Sequence, residues 1–284
     1  MIERDMTYEV LARLLEERTG QNLTPSRQWR VESALSALLR EHDAVSVDEL
    51  VAHLTSPFGC PLSSRVADAL LNNETYFFRD QMIFDALATD VLPDLIARRT
   101  ASRRLKVWCV GCSTGQEPLS IAMLLAERKA LLEDWSIEIV ATDVSHRALE
   151  VARNGSYTAF EAQRGLDMKR MIRWFEEVDG RWKVSPELLR NITYRHHNVL
   201  ATPPRTGEFD LVLCRNVLLY FDAATRSKAF GQIATGMAPD GLLLLGAGET
   251  TVGQTACFEP AQKPAGMFRL TEAARRAAGT SVAA

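Results

Sequence analysis

"VWCVGCSTGQEPLSIA", residues 107–122, runs from an apolar strand through Gly111 and Gly115 into an apolar helix, and its reading decides the fold. It begins like a nucleotide-binding loop, in which glycines let the backbone turn sharply and come close to a ligand. Where a dinucleotide site would set another glycine against the diphosphate, this chain has Gln116, Glu117 and Pro118. Pro118 suits the first turn of a helix, which puts Glu117 at or near the N-cap. An ionised carboxylate there occupies the positive end of the helix dipole and repels a second anion. A phosphate-bearing ligand is thereby disfavoured; a nucleoside with cationic groups is not.

Working outward, apolar and often β-branched runs alternate with amphipathic helices: "LKVWCV" (105–110), "IEIVATD" (137–143), "ITYRHHNVL" (192–200), "FDLVLCRNV" (209–217), "GLLLLGA" (241–247) and "GMFRL" (266–270). Near-continuous apolar strands separated by helices predict a mostly parallel, doubly wound α/β sheet covered on both faces. The interval from Asp143 to Asn198 is longer than one crossover needs, and in "WFEEVDGRWKV" (174–184) Asp179-Gly180 lies between alternating residues as a hairpin turn. The first 70 or so residues read instead as short helices, with Thr24-Pro25 as cap and N1 proline, Ser46 and Glu49 as a capping box, and Pro57, Gly59 and Pro61 as breaks. The expected organisation is a helical domain over 1–72, a linker and helix over 73–104 that contributes to the cofactor site, and an α/β domain over 105–272. A small antiparallel β subdomain is inserted near 165–195, and 273–284 is expected to be a flexible tail.

Composition bounds the function. With 284 residues, 46% of them apolar, the chain can bury a substantial core. A formal charge of −3 gives no general affinity for nucleic acid or an anionic membrane. The odd count of five cysteines, with only Cys109 and Cys112 closely spaced and no accompanying pair, argues against a zinc site and for packed thiols in a reducing cytoplasm. The leader region lacks signal-peptide order, and the longest apolar run, "LLLLGA" (242–247), is far short of a membrane span. His196 and His197 are read as alternating on a strand rather than as metal ligands, and Trp174 and Trp182 as packing around the hairpin.

The second strand sharpens the ligand. Asp143 ends "IVATD", where an acid can accept from both ribose hydroxyls, although a strand-ending Asp is also a common helix cap. Acids for a ribose and an ammonium group, glycines for close approach and no phosphate cradle together suit S-adenosylmethionine. A nicotinamide dehydrogenase is the competing reading, disfavoured by Glu117.

Three further stretches, "NNETYFFRD" (72–80), "CSTGQEPLSIAM" (112–123) and "FDLVLCRNVLLYFD" (209–222), resemble the signature blocks of the CheR family of chemotaxis-receptor glutamate methyltransferases; "ATDVSHRALEVARNGSY" (141–157) and "NVL" (198–200) fall between them in the family's order. The resemblance reaches from the helical domain to about Leu270 and implies a Rossmann-like class I methyltransferase fold. It implies that Asn73, Thr75, Arg79, Glu117, Asp143, Asn198, Val199, Arg215 and Asn216 bind the cofactor, with Gly111 giving close approach, and that Arg79 and Tyr220 form the catalytic neighbourhood. Arg215 is also readable as a buried ion-pair arginine, Tyr220 as a core residue, and Phe77 and Phe78 as packing residues.

The implied reaction methylates a receptor glutamate, giving a γ-glutamyl methyl ester and S-adenosylhomocysteine. The acceptor carboxylate, with an ordinary pKa of about 4.3, is already ionised, so neither a general base nor a metal is expected. The implied partner is the cytoplasmic helical domain of chemoreceptors, met by Arg27, Arg30 and Arg40, on a chain expected to be a cytoplasmic monomer. Between those arginines stand Ser33, Ala34, Ser36 and Ala37, where the family is often more basic. The short "EEVDGRWK" hairpin argues against tethering to a receptor's C-terminal peptide, and "GAGET" (246–250) departs from the family's histidine-containing version. A methyltransferase for another protein or small carboxylic acid, and a non-catalytic cofactor-binding regulator, remain the alternatives.

Overall fold

The computed structural model describes residues 2–54, 60–261 and 266–281, so the expected breaks at Pro57 and Gly59 lie outside the described residues. The chain divides into two compact units, Met1–Asn72 with Tyr220–Thr225, and Asn73–Leu219 with Arg226–Ala284.

The first unit is helical. It holds α1 (Ile2–Thr19), a 3-10 helix over Pro25–Arg30, α2 (Val31–Glu41), α3 (Val47–Leu54) and α4 (Cys60–Leu70). Leu11, Leu15, Leu35, Leu50 and Val66 are fully buried, one apolar stripe from each α-helix. Proline at the first position starts the 3-10 helix, so "PSRQWRVESALSALLREH" is two helical pieces rather than one. Ser46 Oγ accepts the Glu49 N–H at 3.2 Å, while the Glu49 carboxylate reaches back to the Val45 N–H at 2.8 Å, one residue earlier than in the usual reciprocal box.

In the second unit, α5 (Gln81–Ala86) continues through a π turn over Leu87–Val91 into α6 (Leu92–Arg98). The α/β framework follows as β1 (Arg104–Val110), α7 (Gln116–Ala126), β2 (Ser136–Asp143) and α8 (His146–Asn154). Next come β3 (Ser156–Tyr157), α9 (Ala159–Gln163), α10 (Met168–Trp174), β4 (Phe175–Val178), β5 (Arg181–Val184) and α11 (Pro186–Leu189). The chain then forms β6 (Ile192–His196), β7 (Phe209–Cys214), α12 (Ala223–Gly236), β8 (Met237–Leu245), β9 (Phe258–Pro260), β10 (Met267–Leu270) and α13 (Glu272–Ser281).

The main sheet has the order β6-β2-β1-β7-β8-β10-β9. Its first five strands are parallel, whereas β10 runs antiparallel to β8 and to β9. β1 is central because its side chains are apolar on both faces: Val107, Trp108 and Cys109 are fully buried. The strand order reverses beside β1, which sets a crevice at the carboxyl ends of β1, β2 and β7. Below, Arg99 clamps the sheet by ion pairs to Asp210 on β7 and Asp240 on β8, both at 2.5 Å.

The structure corrects two sequence boundaries. The small sheet, ordered β3-β5-β4, begins at Ser156 rather than near 165, because two residues after α8 pair with β5. The strand read as 192–200 stops at His196, since the chain then turns through Asn198. Gly115 is the N-cap of α7, so Glu117 stands in the first turn next to the cap, as the position of Pro118 implies.

Candidate functional site

β1 delivers the chain to Gly111, whose φ is +67° and where an added Cβ would lie 2.4 Å from Val217 Cγ2, so the turn requires glycine. Ser113, also at positive φ, donates its backbone N–H to Asp143 Oδ2 at 2.7 Å and its hydroxyl to the Asn73 carbonyl at 2.7 Å. Asp143 Oδ1 accepts the Ser145 N–H at 2.8 Å, and Ser145 caps α8. Asp143 therefore locks the first loop to the end of β2. A carboxylate has about four acceptor positions, and both oxygens of Asp143 are already engaged in holding this junction.

Glu117 is not the lone carboxylate that the sequence pattern suggests. Arg215, at the end of β7 and with a side chain 1% exposed, donates Nη1 to Glu117 Oε2 at 3.0 Å and Nη2 to Asp80 Oδ2 at 2.7 Å. The same Nη2 also donates to the Arg79 carbonyl at 2.7 Å. Arg215 thus takes the buried ion-pair role, and the repulsion toward anions expected from Glu117 is partly neutralised. Burial pushes the Glu117 carboxyl above its ordinary value, opposed by the Arg215 pair and by the nearby Arg79 charge.

Arg79 is half-buried and donates Nη1 to the Glu74 carbonyl at 3.0 Å. Its guanidinium stands 5.6 Å from the Tyr76 ring. Among the described residues that carbonyl bond is the side chain's one hydrogen bond, which leaves most of its five donors for a ligand. Asn73 Nδ2 donates to Ser145 Oγ at 3.4 Å, and the half-buried Thr75 hydroxyl makes no hydrogen bond among the described residues. Phe77 and Phe78 are packing residues, set edge-on to Tyr157 and Phe84 respectively.

Beyond β6, the His197 N–H donates to the Asp143 carbonyl at 2.9 Å, Asn198 Oδ1 caps the Leu200 N–H at 2.9 Å, and Val199 is buried. Asn216 follows Arg215 at a φ of +58°. Glu249 holds this loop: its carboxylate accepts the backbone N–H groups of Asn216, Leu218, Leu219 and Gly246 at 2.7, 3.0, 3.3 and 3.0 Å. Sequence reasoning missed Glu249, Asp80 and Ser113 as site residues. The available signal for Glu249 was an acid just beyond glycines at the end of an apolar strand; for Asp80 it was adjacency to Arg79.

The structure gathers Asn73, Thr75, Arg79, Gly111, Glu117, Asp143, Asn198, Val199, Arg215 and Asn216 in the second unit and assigns Tyr220 to the first. There the Tyr220 hydroxyl accepts from Asn72 Nδ2 at 2.6 Å, and the Arg27 guanidinium lies 4.2 Å from its ring. Arg27 is therefore engaged within its own unit, as is Arg30, which donates Nη1 to Asn72 Oδ1 at 3.3 Å; Arg30 and Arg40 are both exposed.

"CheR methyltransferase, SAM binding domain" describes the family pattern that matches residues 73–267. The chain belongs to the CheR methyltransferase family. It is similar to the chemotaxis protein methyltransferase of Vibrio parahaemolyticus, 37% identical over 260 residues that cover 90% of this chain and 93% of that one. It is also similar to chemotaxis protein methyltransferase Cher2 of Pseudomonas putida, 34% identical over 268 residues covering 93% and 97% of the two chains. This CheR chain is an S-adenosylmethionine-dependent methyltransferase, and its crevice fits that cofactor. Among the described residues, the buried Asn216 Oδ1 and Tyr194 Oη have no hydrogen-bond partner, which leaves polar atoms for a ligand beside the glycine turn. No described helix is long and apolar enough to cross a membrane.

Proposed function

We propose that the chain methylates glutamate side chains of chemoreceptors, working as a cytoplasmic monomer. The observation that carries this reading is Arg79: a half-buried guanidinium, tethered by one nitrogen, beside the Glu117–Arg215–Asp80 cluster of a CheR-family crevice. Asp143 accepts the ribose hydroxyls and Glu117 the ammonium group of the cofactor, while Asn73, Thr75, Asn198, Val199 and Asn216 complete its walls. When bound, S-adenosylmethionine supplies an electrophilic methyl group on a sulfonium.

The acceptor carboxylate is ionised near neutral pH, so no side chain has to remove a proton. Arg79 holds one of its oxygens through a charge-assisted hydrogen bond and leaves the other to attack. Transfer to the carboxylate would leave the C–S bonding pair on sulfur, so the opposite charges of acceptor and sulfonium would cancel. A strong grip on the ground-state carboxylate would slow such a step; Arg79 and Tyr220 therefore act by orientation and by excluding water. Arg30 and Arg40 remain exposed to meet a receptor, and the short hairpin gives no tethering to a receptor's C-terminal peptide.

The test is to incubate the chain with methyl-labelled cofactor and membranes carrying chemoreceptors, then treat the product with alkali. Label in the receptor band that is released as methanol supports the reading. Label confined to another protein or a small acid, or cofactor binding without any transfer, overturns it.

A further inference from the structure

The inward and outward faces of α10 differ in chemistry. Inward, Met171 and Trp174 are buried, and Arg170 is neutralised by Glu127 at 2.8 Å and Asp167 at 3.1 Å. Outward, Met168 and Ile172 are 69% and 72% exposed and stand one turn apart, as do the exposed Lys169 and Arg173. Neither Lys169 nor Arg173 has a carboxylate partner among the described residues; the Arg173 guanidinium lies instead 4.6 Å from the Trp174 ring. On the preceding α9, Phe160 is 75% exposed. Single exposed apolar side chains need no explanation, but two large ones one turn apart on α10, flanked by cations without carboxylate partners among the described residues, mark a contact surface.

This surface adjoins the segment that carries Arg79. Between α9 and α10, Arg164 pairs with the Glu74 carboxylate at 2.8 Å and covers the Tyr76 ring at 4.3 Å, the ring that Arg79 also approaches. Gly165 lies so close to the Phe77 carbonyl that a Cβ would come within 1.8 Å of its oxygen. Arg170, on the inner side of α10, stacks over Phe78 at 4.2 Å. The α9–α10 ridge is thus packed directly onto residues 74–79.

We propose that the outward face of α10 docks an acidic amphipathic helix of the methyl-accepting protein, an inference that rests on the glutamate-methylating reading above. Apolar pairs one turn apart match the apolar stripe of a second helix, and Lys169 and Arg173 match carboxylates flanking that stripe. A helix that offers glutamates to Arg79 is rich in acids, and others of its carboxylates meet Lys169 and Arg173. With two turns of α10 the contact is small, which suits an enzyme that must leave its substrate after each transfer.

The test uses the full chain, receptor-bearing membranes and labelled cofactor. Two double variants remove the apolar pair (Met168→Ser with Ile172→Ser) or reverse the charges (Lys169→Glu with Arg173→Glu). All four positions are exposed, so cofactor affinity by calorimetry and the thermal midpoint stay at wild-type values. Each variant is expected to raise the KM for receptor about tenfold at unchanged kcat, and the charge reversal to flatten the salt dependence of KM. Wild-type KM and salt dependence in both variants overturn the docking surface, as does a rise seen only with Arg30→Glu and Arg40→Glu. A wild-type chain that transfers no alkali-labile methyl group to the membranes removes the underlying reading and this inference together.

Discussion

At the scale of the residue, three carboxylate and guanidinium groups divide the work. Asp143 holds the backbone N–H groups of Ser113 and Ser145, and in the proposed reading its carboxylate also meets the ribose. Asp143→Ala is expected to weaken cofactor binding by about a hundredfold, because those donors and the ribose lose their acceptor together; titration calorimetry measures it. Arg79 contacts its own segment through one nitrogen only. Arg79→Ala should leave the thermal midpoint and cofactor affinity near wild type while lowering kcat about a hundredfold, with labelled methyl transfer as the readout. Glu117 supplies a pH dependence. Its carboxyl is raised by burial, so its contribution to folding is favourable below the unfolded value near 4.3 and is lost as pH rises through the folded value. Binding the cofactor's ammonium group has the opposite sign, because it needs the ionised form. Affinity is therefore expected to fall by up to about tenfold per pH unit below the raised value, at a higher pH than an ordinary glutamate would give. Glu117→Gln should flatten that profile in calorimetry between about pH 8 and pH 5.

At the scale of the element, the decisive pieces are strand ends and the loops that follow them. β1 and β7 were legible as apolar runs, and Gly111 and Asp143 were legible because a tight turn and a strand-ending acid have local signatures. The Arg215–Glu117 pair was not, since it joins residues 98 positions apart through the packing of β7 beside β1. Glu249 escaped for the same reason: four backbone N–H groups from two loops converge on it only once β7 and β8 lie side by side. Glu249→Ala leaves these donors without that acceptor and releases Asn216 from its left-handed conformation. It is expected to cost about 2–4 kcal/mol of stability, read by urea denaturation, and to weaken cofactor binding as well.

At the scale of the whole molecule, the residues proposed to hold the cofactor all belong to the second unit, whereas Tyr220 is bound to the first by Asn72, by Arg27 and by the Asn22 N–H that donates to its carbonyl at 2.8 Å. A chain beginning at Asn73 is therefore expected to bind S-adenosylmethionine within about tenfold of the full chain but to lose most methyl transfer, because Tyr220 loses all three of these partners. Calorimetry and the methyl-transfer assay on the same preparation separate the two effects. The α/β alternation, the hairpin at Asp179-Gly180, the glycine turn after β1 and the family blocks were readable from the chain alone, because periodicity, turn chemistry and short motifs are local properties. That Arg215 neutralises Glu117, that Glu249 shapes the Asn216 loop and that Tyr220 belongs with the helical unit emerged with the folded chain. Those are contacts between distant segments, and a charge acquires its partner only when folding brings the two out of water together.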